Sequence, residues 1–152
     1  MANDIAKTGA LVTGIDFNKL NIDIAKLTYE ASNLTFICGD ALTDLPDEHF
    51  DTIVLSNVLE HIEYRVKFLK SVIDSTKPVR ILIRVPMYER DWRVPLMEEV
   101  GIDYRLDDTH HIEYRKLEFL DELQQAGLKV VSIEYIWGEI WCEATTWITD
   151  RK

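Results

Sequence analysis

Two aspartates stand directly after short apolar segments, at positions where a carboxylate could bind a ligand. Asp16 follows the apolar residues 11–15, and Asp40 follows the apolar residues 34–38 and Gly39. A carboxylate accepts hydrogen bonds from both hydroxyls of a diol, and nucleotide-binding α/β folds use such a residue to hold a ribose. Asp16 could therefore bind a ribose, or it could cap the helix that follows it. Asp40 could accept a hydrogen bond from an adenine amino group, or it could be an ordinary turn aspartate.

The apolar pattern around these residues predicts alternating strands and helices. Short apolar runs predict buried strands at residues 11–15, 34–38, 51–56 and 79–85. Single apolar stripes predict helices at residues 20–31 and 59–77, the first formed by Leu20, Ile24, Leu27 and Ala31. This order indicates an α/β fold whose mostly parallel strands carry helices on both faces, with ligands bound at the carboxyl ends of the strands.

The C-terminal part of the chain has a different pattern. Residues 87–112 show no regular period, and an irregular region of this length is usually functional or partly helical. A helix is predicted at residues 115–126, with Gly127 directly after its end. Apolar and polar residues then alternate in two segments around Gly138, which predicts an antiparallel hairpin that extends to Ile148.

Composition limits the classes of function. The 152 residues include 17 Lys+Arg and 27 Asp+Glu, so the net charge is −10, and the length suits one domain over residues 1–152. An acidic surface argues against nucleic acid or an anionic membrane as the partner. Residues 1–14 lack the long apolar run of a signal peptide or membrane span. Cys38 and Cys142 lie far apart without a CxxC motif, which predicts free thiols and a cytoplasmic location.

Three segments together resemble the class I S-adenosylmethionine-dependent methyltransferases, in particular their small-molecule branch of the ubiquinone-biosynthesis type. The segments are V-T-G-I-D at residues 12–16, C-G-D-A at residues 38–41 and F-D-T-I-V-L-S-N-V-L-E-H at residues 50–61. The resemblance covers nearly the whole chain, including the terminal hairpin. It implies a Rossmann-like fold, S-adenosylmethionine as the cofactor, and an enzyme that transfers a methyl group to a small-molecule acceptor.

The resemblance also implies a set of cofactor-binding residues, which are Asp16, Phe17, Asp40, Ala41, Ser56 and Asn57. The first two would hold the ribose and pack on the adenine, the next two would contact the adenine edge, and the last two would lie beside the methionine moiety. Asn57 has a second interpretation. It could be the N-cap of the predicted helix 59–77 with Glu60 at position N3, an Asn analogue of the capping box that needs no ligand.

One family feature is missing from the sequence. These enzymes begin with a strand and a Gly-rich turn, Asp/Glu-x-Gly-x-Gly-x-Gly, whereas none of the six glycines here forms a GxG pair. Residues 1–8 are similar to the end of the helix that follows this turn, so the resemblance implies an N-terminally truncated domain. The missing strand would lie between the strands that end at Asp16 and Ser56.

The absence of this strand predicts two open strand edges. A start placed too late, a partner chain in the strand position, and a rearranged fold are the three explanations. We expect the first two in combination, so that the chain could form a homo-oligomer through its open edges. A catalytically inactive methyltransferase-like fragment, which oligomerises or binds a partner, is the alternative function.

Catalytic residues are sought among groups that can take a proton from an acceptor. Methyl transfer is an in-line displacement at a sulfonium methyl group, so the protein positions the acceptor and removes the proton of a hydroxyl. His110 and His111 are the candidates, because histidine titrates near neutral pH. Each could instead be a packing or interface histidine.

The remaining charged residues near this region suggest weaker hypotheses. Three arginines, at 84, 90 and 93, could hold an anionic acceptor or form ordinary salt bridges with Glu89, Asp91 or Glu98. No metal site is predicted. The acidic residues and histidines at 107–111 are adjacent on one segment, and such residues rarely converge on an ion without ligands from elsewhere in the chain.

Overall fold

The computed structural model describes residues 1–147, which belong to two compact units. The first unit is Met1–Pro46, and the second begins at Asp47 and includes the rest of the described residues. Each unit contains strands and helices, so the predicted α/β class is confirmed. The prediction that residues 1–152 act as one domain stays a prediction. Within residues 1–147, no helix has both the length and the apolar character needed to cross a membrane.

The first unit contains a pair of parallel strands and two helices. Its elements are α1 (Ala2–Ala6), β1 (Val12–Asp16), α2 (Lys19–Thr28) and β2 (Leu34–Cys38). The strands pair in parallel with Val12 opposite Leu34. The N-cap of α2 is Asn18, whose side-chain oxygen accepts from the Leu20 N–H at 2.9 Å.

The apolar stripe predicted for α2 is solvent-exposed within this structure. Leu20, Ile24 and Leu27 are exposed, and the buried side chain of the helix is Ile22, which does not belong to the stripe. Periodicity identified the helix but not the face that packs. A sheet of two strands covers little of a helix surface, so local pattern alone could not determine that face.

The second unit contains the larger sheet. Its elements are β3 (Thr52–Ser56), a 3-10 turn (Leu59–His61), α3 (Arg65–Thr76), β4 (Arg80–Pro86), a second 3-10 turn (Tyr88–Arg90), α4 (Arg93–Glu99), α5 (Lys116–Gln125), β5 (Leu128–Ile136) and β6 (Glu139–Thr146). The strand order is β3-β4-β6-β5. The β3–β4 pair is parallel, and β6 runs antiparallel to both β4 and β5.

The core of this unit lies on one face of its sheet. Alternate residues of β4, namely Ile81, Ile83 and Val85, are buried, while Leu82 and Arg84 between them are half-buried. The helices α3 and α5 bury apolar side chains of their own and contact each other. Burial of these side chains is the main stabilising term for such a layer.

The terminal hairpin and the end of α5 confirm the sequence prediction. Trp137 and Gly138 both have positive φ, 53° and 78°, as the two-residue turn of a type I′ hairpin requires. Gly127 follows α5 with φ of 82°. Ile148, predicted as the last strand residue, lies outside the described residues.

The open strand edges are present in both units. Among residues 1–147, β1 pairs with one strand, β2, and β3 pairs with one strand, β4. One backbone edge of β1 and one of β3 therefore have no strand partner in the described part of the chain, as the sequence predicted.

The predicted helix at residues 59–77 is wrong in its first part. Residues 59–61 form a 3-10 turn, Ile62 is extended, and α3 begins only at Arg65. The break is held by tertiary contacts, because the Arg65 guanidinium donates to the Ile62 carbonyl at 3.1 Å and also binds Glu122 on α5. Leu59 and Glu60 are both buried before the helix begins.

The capping hypothesis for Asn57 is therefore also wrong. An N-cap residue has extended backbone dihedrals, whereas Asn57 has φ of 54°, in the left-handed region. The α3 N-cap is Tyr64, and the residue before the 3-10 turn is Val58; neither makes a side-chain cap bond. Asn57 thus ends β3 in a tight turn and does not cap a helix.

Candidate functional site

Asp16 lies at the carboxyl end of β1 and shapes the turn into α2. Its Oδ1 accepts from the Asn18 N–H at 2.7 Å, and its Oδ2 accepts from the Asn21 side-chain amide at 3.1 Å. Each carboxylate oxygen can accept a second hydrogen bond, so the local role leaves capacity for a diol. The next side chain, Phe17, is 80% exposed. The roles of both residues in cofactor binding stay predictions.

Asp40 forms the turn that follows β2. Its Oδ1 accepts from the Leu42 N–H at 2.9 Å, and its own N–H donates to Asp44 Oδ2 at 2.8 Å. These bonds are those of a turn aspartate, the alternative considered from the sequence. Ala41 is half-buried beside it. Contact of either residue with an adenine edge stays a prediction.

Ser56 and Asn57 end β3 in the second unit. Ser56 is opposite Arg84 in the parallel pair, and the Asn57 N–H donates to the Arg84 carbonyl at 2.9 Å. Asn57 itself has a left-handed backbone conformation, which asparagine tolerates better than most residues. Such backbone conformations are frequent at ligand sites. Contact of these two residues with the methionine moiety stays a prediction.

Three potential metal ligands form a cluster close to this turn, two of them from the residues that come next in the sequence. Glu60, His61 and His110 offer one ligand atom each, and these atoms lie within 4.8 Å of one another. The two imidazole rings are nearly perpendicular, with centroids 4.6 Å apart. Glu60 and His61 come from the 3-10 turn after β3, whereas His110 comes from the irregular region that precedes α5. We call these three residues the Glu-His-His cluster.

Glu60 has an unusual environment for a carboxyl group. Its side chain is fully buried, and within residues 1–147 neither carboxyl oxygen has a hydrogen-bond partner. Burial raises the pKa of Glu60 above its ordinary value, and it outweighs the nearby Glu60 N–H, the Asn57 side chain and the two histidines, which act in the opposite direction. A buried carboxylate without a partner is costly unless a cation or donors compensate it. The donor set of one carboxylate and two imidazoles fits a divalent cation such as zinc, manganese or cobalt.

The structure separates the two histidines that the sequence proposed as catalytic. The His110 side chain is buried in the cluster, whereas the His111 side chain is exposed. His111 is connected to the cluster through its backbone, because its N–H donates to the Glu60 carbonyl at 2.7 Å. The catalytic roles of both histidines stay predictions.

Sequence reasoning did not find Glu60 and His61 as possible ligands. It considered ligands for His110 only among its neighbours at 107–111 and noted that an ion would need ligands from elsewhere. Those ligands come from a segment about fifty residues earlier. The signal in the sequence is the Glu-His pair placed after a strand that ends at the ligand-binding edge of the sheet.

The three arginines near this region form ion pairs. Arg84 binds Glu139 at 2.7 Å, Arg90 binds Glu113 at 2.9 Å and Arg93 binds Asp91 at 2.6 Å. The hydrogen bond with Glu139 raises the pKa of Arg84, which stays charged. The predicted kind of salt bridge is confirmed for Arg93, whereas Arg84 and Arg90 pair with carboxylates that the sequence analysis did not name. Asp91 is the one predicted partner among the three carboxylates observed.

The sequence matches a known protein family and curated relatives. The family model described as "Methyltransferase domain" matches residues 1–83, slightly more than half of the chain. A ubiquinone biosynthesis O-methyltransferase of Rhodopseudomonas palustris (strain BisB5) is 30% identical over 142 residues, which are 88% of this chain and 55% of the relative. The protein of the same name from Dinoroseobacter shibae is 31% identical over 143 residues, 86% of this chain and 56% of the relative. The chain spans about half the length of the curated relatives it matches.

Solved structures show the same fold. A magnesium protoporphyrin IX methyltransferase from Synechocystis PCC 6803, with bound SAH, superposes with a TM-score of 0.71 at 16% identity, over 95% of this chain and 68% of that one. A methyltransferase from Mesorhizobium loti superposes with a TM-score of 0.67 at 14% identity, over 90% and 80%. At such identities the likeness shows the fold alone, and the family assignment rests on the sequence match. The chain belongs to the methyltransferase domain family and has the Rossmann-like fold of the class I S-adenosylmethionine-dependent methyltransferases.

Proposed function

We propose that this chain takes part in the transfer of a methyl group from S-adenosylmethionine to a hydroxyl of a small molecule. Membership of the methyltransferase domain family supports the reaction class. The curated relatives named as O-methyltransferases support an oxygen atom as the acceptor. Their names place them in ubiquinone biosynthesis, which supports a ring hydroxyl on the acceptor. The match to methyltransferases gives no support to the alternative of an inactive fragment.

The cofactor half of the proposal concerns the residues after β1, β2 and β3. Asp16 would hold the ribose hydroxyls and Phe17 would pack on the adenine, while Asp40 and Ala41 would contact its edge. Ser56 and Asn57 would lie beside the methionine moiety. This proposal requires that the two units act as one domain when the cofactor is bound. All six residues lie at a strand carboxyl end or within three residues after one, which supports the proposal.

The acceptor half of the proposal is carried by one observation, the buried and unpartnered Glu60 beside two histidines. Glu60, His61 and His110 would hold a divalent cation, which supplies positive charge that lowers the pKa of a hydroxyl bound to it. The Glu60 carboxylate would then have its missing partner. His111, exposed next to the cluster, is the proposed acceptor of the hydroxyl proton.

A binding experiment tests the cofactor half. S-adenosylhomocysteine is titrated into the chain by isothermal calorimetry, with Asp16→Ala as the variant and Asp23→Ala as the control. Asp23 is a helix-surface residue of the same unit that pairs with Lys19. We expect micromolar binding that Asp16→Ala weakens at least tenfold and Asp23→Ala leaves unchanged. Equal binding by both variants would remove Asp16 from the site, and no heat with any of the three proteins would contradict the cofactor proposal.

A transfer assay tests the acceptor half. Catechol, a simple ring with two adjacent hydroxyls, is incubated with radiolabelled S-adenosylmethionine and the chelated or Co²⁺-loaded protein. Labelled methyl ether is expected only with the cation, and Glu60→Gln should abolish it, while Glu63→Gln should not because Glu63 is exposed. Transfer that proceeds equally in chelator would show that the reaction does not use the Glu-His-His cluster as proposed.

The oligomeric state is a separate part of the proposal. The open edges of β1 and β3 could pair with a second copy of the chain, which would add backbone hydrogen bonds. Light scattering coupled to size exclusion measures the mass directly. A mass of 17.7 kDa at micromolar concentration would correspond to one chain and would contradict the homo-oligomer.

A further inference from the structure

We infer that Thr109 and Glu113 are positioning residues that hold His61 and His110 with the proton on Nδ1, so that Nε2 of each ring is the nitrogen available to a ligand. Neither residue belongs to the Glu-His-His cluster. Each contacts one of its histidines through a hydrogen bond to Nδ1. The effect on cation binding rests on the proposed function, whereas the tautomers themselves do not.

The assignment for His110 follows from the bonds made by Glu113. The Glu113 side chain is fully buried, and its Oε2 accepts from Arg90 Nη1 at 2.9 Å. Its Oε1 accepts from the Leu106 N–H at 2.7 Å and lies 3.0 Å from His110 Nδ1. A carboxylate paired with a guanidinium only accepts hydrogen bonds. The proton between Glu113 and His110 must therefore lie on Nδ1 of the imidazole.

The assignment for His61 follows from two consecutive hydrogen bonds, in which the last acceptor is again a carboxylate. The Thr109 hydroxyl donates its one proton to Asp107 Oδ1 at 2.6 Å. The Thr109 oxygen can then only accept from His61 Nδ1, which lies 2.8 Å away. The Thr109 N–H also donates to Asp107 Oδ1, at 2.8 Å, which holds the hydroxyl in place. Asp107 thus orients Thr109, and Thr109 orients His61.

The two arrangements share one consequence for the cluster. Both Nδ1 atoms are engaged as donors, so Nε2 of His61 and Nε2 of His110 remain as acceptors or ligands. Free imidazole in water can present either nitrogen, whereas a ring with a fixed partner presents one. A carboxylate or hydroxyl partner behind a ligating histidine raises ligand basicity and fixes the ring, and its loss typically weakens metal binding about 10- to 100-fold.

Imidazole tautomers in the cation-free protein provide the direct test. Long-range proton–nitrogen correlation spectra of ¹⁵N-histidine-labelled protein at pH 8 distinguish protonated Nδ1 from protonated Nε2. His61→Gln and His110→Gln variants identify the two signals. We expect Nδ1–H for both rings. Nε2–H as the main form of either ring in the wild-type protein would overturn the assignment of that ring.

Thr109 offers the cleaner substitution because its side chain is exposed and its loss leaves no buried group without a partner. Thr109→Val removes the hydroxyl and keeps the shape, whereas Thr109→Ser retains the hydroxyl. We expect Thr109→Val to shift His61 toward Nε2–H and to weaken Co²⁺ binding at least tenfold by calorimetry. Thr109→Ser should restore both properties. An unchanged His61 tautomer in Thr109→Val would overturn the role of Thr109.

The role of Glu113 in fixing the His110 tautomer is tested by Glu113→Gln and by the double variant Arg90→Met/Glu113→Met. The amide oxygen of Gln can still accept from Nδ1, so Glu113→Gln should keep the His110 tautomer. The double variant removes the acceptor without leaving a buried guanidinium unpaired, and it should shift His110 toward Nε2–H.

Expected tautomers without any Co²⁺ binding would support the positioning roles and contradict the cation in the proposed function. Equal Co²⁺ affinity of wild type, Thr109→Val and the double variant would overturn the roles of both residues in ligand binding.

Discussion

Arg65 and Glu122 join the first turn of α3 to α5 through a two-point ion pair. Arg65 Nη2 lies 2.6 Å from Glu122 Oε1, and Arg65 Nε lies 3.0 Å from Glu122 Oε2. Both side chains are largely buried, and the Tyr114 hydroxyl donates to the same carboxylate at 2.7 Å. Burial and the neighbouring Glu122 charge raise the pKa of Tyr114, which keeps its proton as a donor. This contact fixes the break that separates the Glu60–His61 turn from α3.

Loss of this ion pair should destabilise the second unit. Glu122→Gln keeps the shape of the side chain but leaves the Arg65 charge poorly compensated, so we expect the free energy of unfolding to fall by about 2 kcal/mol, less than for a fully buried pair. Asp121→Asn, at the preceding exposed position of α5, should change it by less than about 0.5 kcal/mol. Urea denaturation followed by circular dichroism measures both values. Equal values for the two variants would show that the pair does not stabilise the fold.

Two glycines with similar backbone conformations should respond differently to a methyl group. Gly127 and Gly138 have φ of 82° and 78°, but a Cβ at Gly138 would lie 2.7 Å from Arg90 Cβ, whereas a Cβ at Gly127 meets no atom within 4 Å. Gly127→Ala should cost about 1 kcal/mol from backbone strain alone. Gly138→Ala should cost about 1–3 kcal/mol more through the steric clash. Thermal unfolding compares the two, and equal losses would contradict the close approach of Arg90.

The two cysteines should differ sharply in reactivity. Cys38 is exposed, whereas Cys142 is buried and burial raises its pKa to about 12. Iodoacetamide at pH 8 should modify Cys38 within minutes and leave Cys142 unmodified until the protein is unfolded. Mass spectrometry after digestion assigns the label. Modification of Cys142 in the folded protein at a comparable rate would contradict its burial.

The raised pKa of Cys142 also predicts how stability depends on alkaline pH. The folded protein binds the Cys142 proton more tightly than the unfolded chain, whose thiol has its ordinary pKa of 9.0. Stability from this group is complete below pH 9 and is lost as the pH rises toward 12. Between pH 8.5 and 10, the unfolding free energy of the wild type should therefore fall more steeply than that of Cys142→Ala. Parallel curves for the two proteins would contradict the shift.

The buried Glu60 should cost stability in the cation-free protein. Its carboxyl oxygens have no partner within residues 1–147, so Glu60→Met, which keeps the length of the side chain, should raise the free energy of unfolding by about 1–2 kcal/mol in the presence of chelator. Glu63→Met at the exposed neighbouring position is the control. A loss of stability in Glu60→Met would show that the carboxyl group is satisfied in the folded protein.

Local elements were predictable where short-range pattern determines them. The strand at residues 34–38 and the hairpin turn at Gly138 follow from apolar runs and from the need for positive φ, both of which are readable without tertiary information. The helix at residues 59–77 was predicted too long, because the Arg65–Glu122 pair interrupts it and lies beyond any local window. The apolar stripe of α2 was recognised as a stripe, but the buried side chain is Ile22.

The sequence by itself determined the family and the order of strands and helices, and it placed Asp16, Asp40 and Ser56 at strand ends or within two residues after them. These properties depend on neighbouring residues and on backbone conformation. Tertiary structure decided that His110 rather than His111 joins Glu60 and His61. It did so because this choice depends on which side chain of the irregular region is buried against a turn about fifty residues earlier in the chain. Burial of that kind is settled by packing, and no local pattern encodes it.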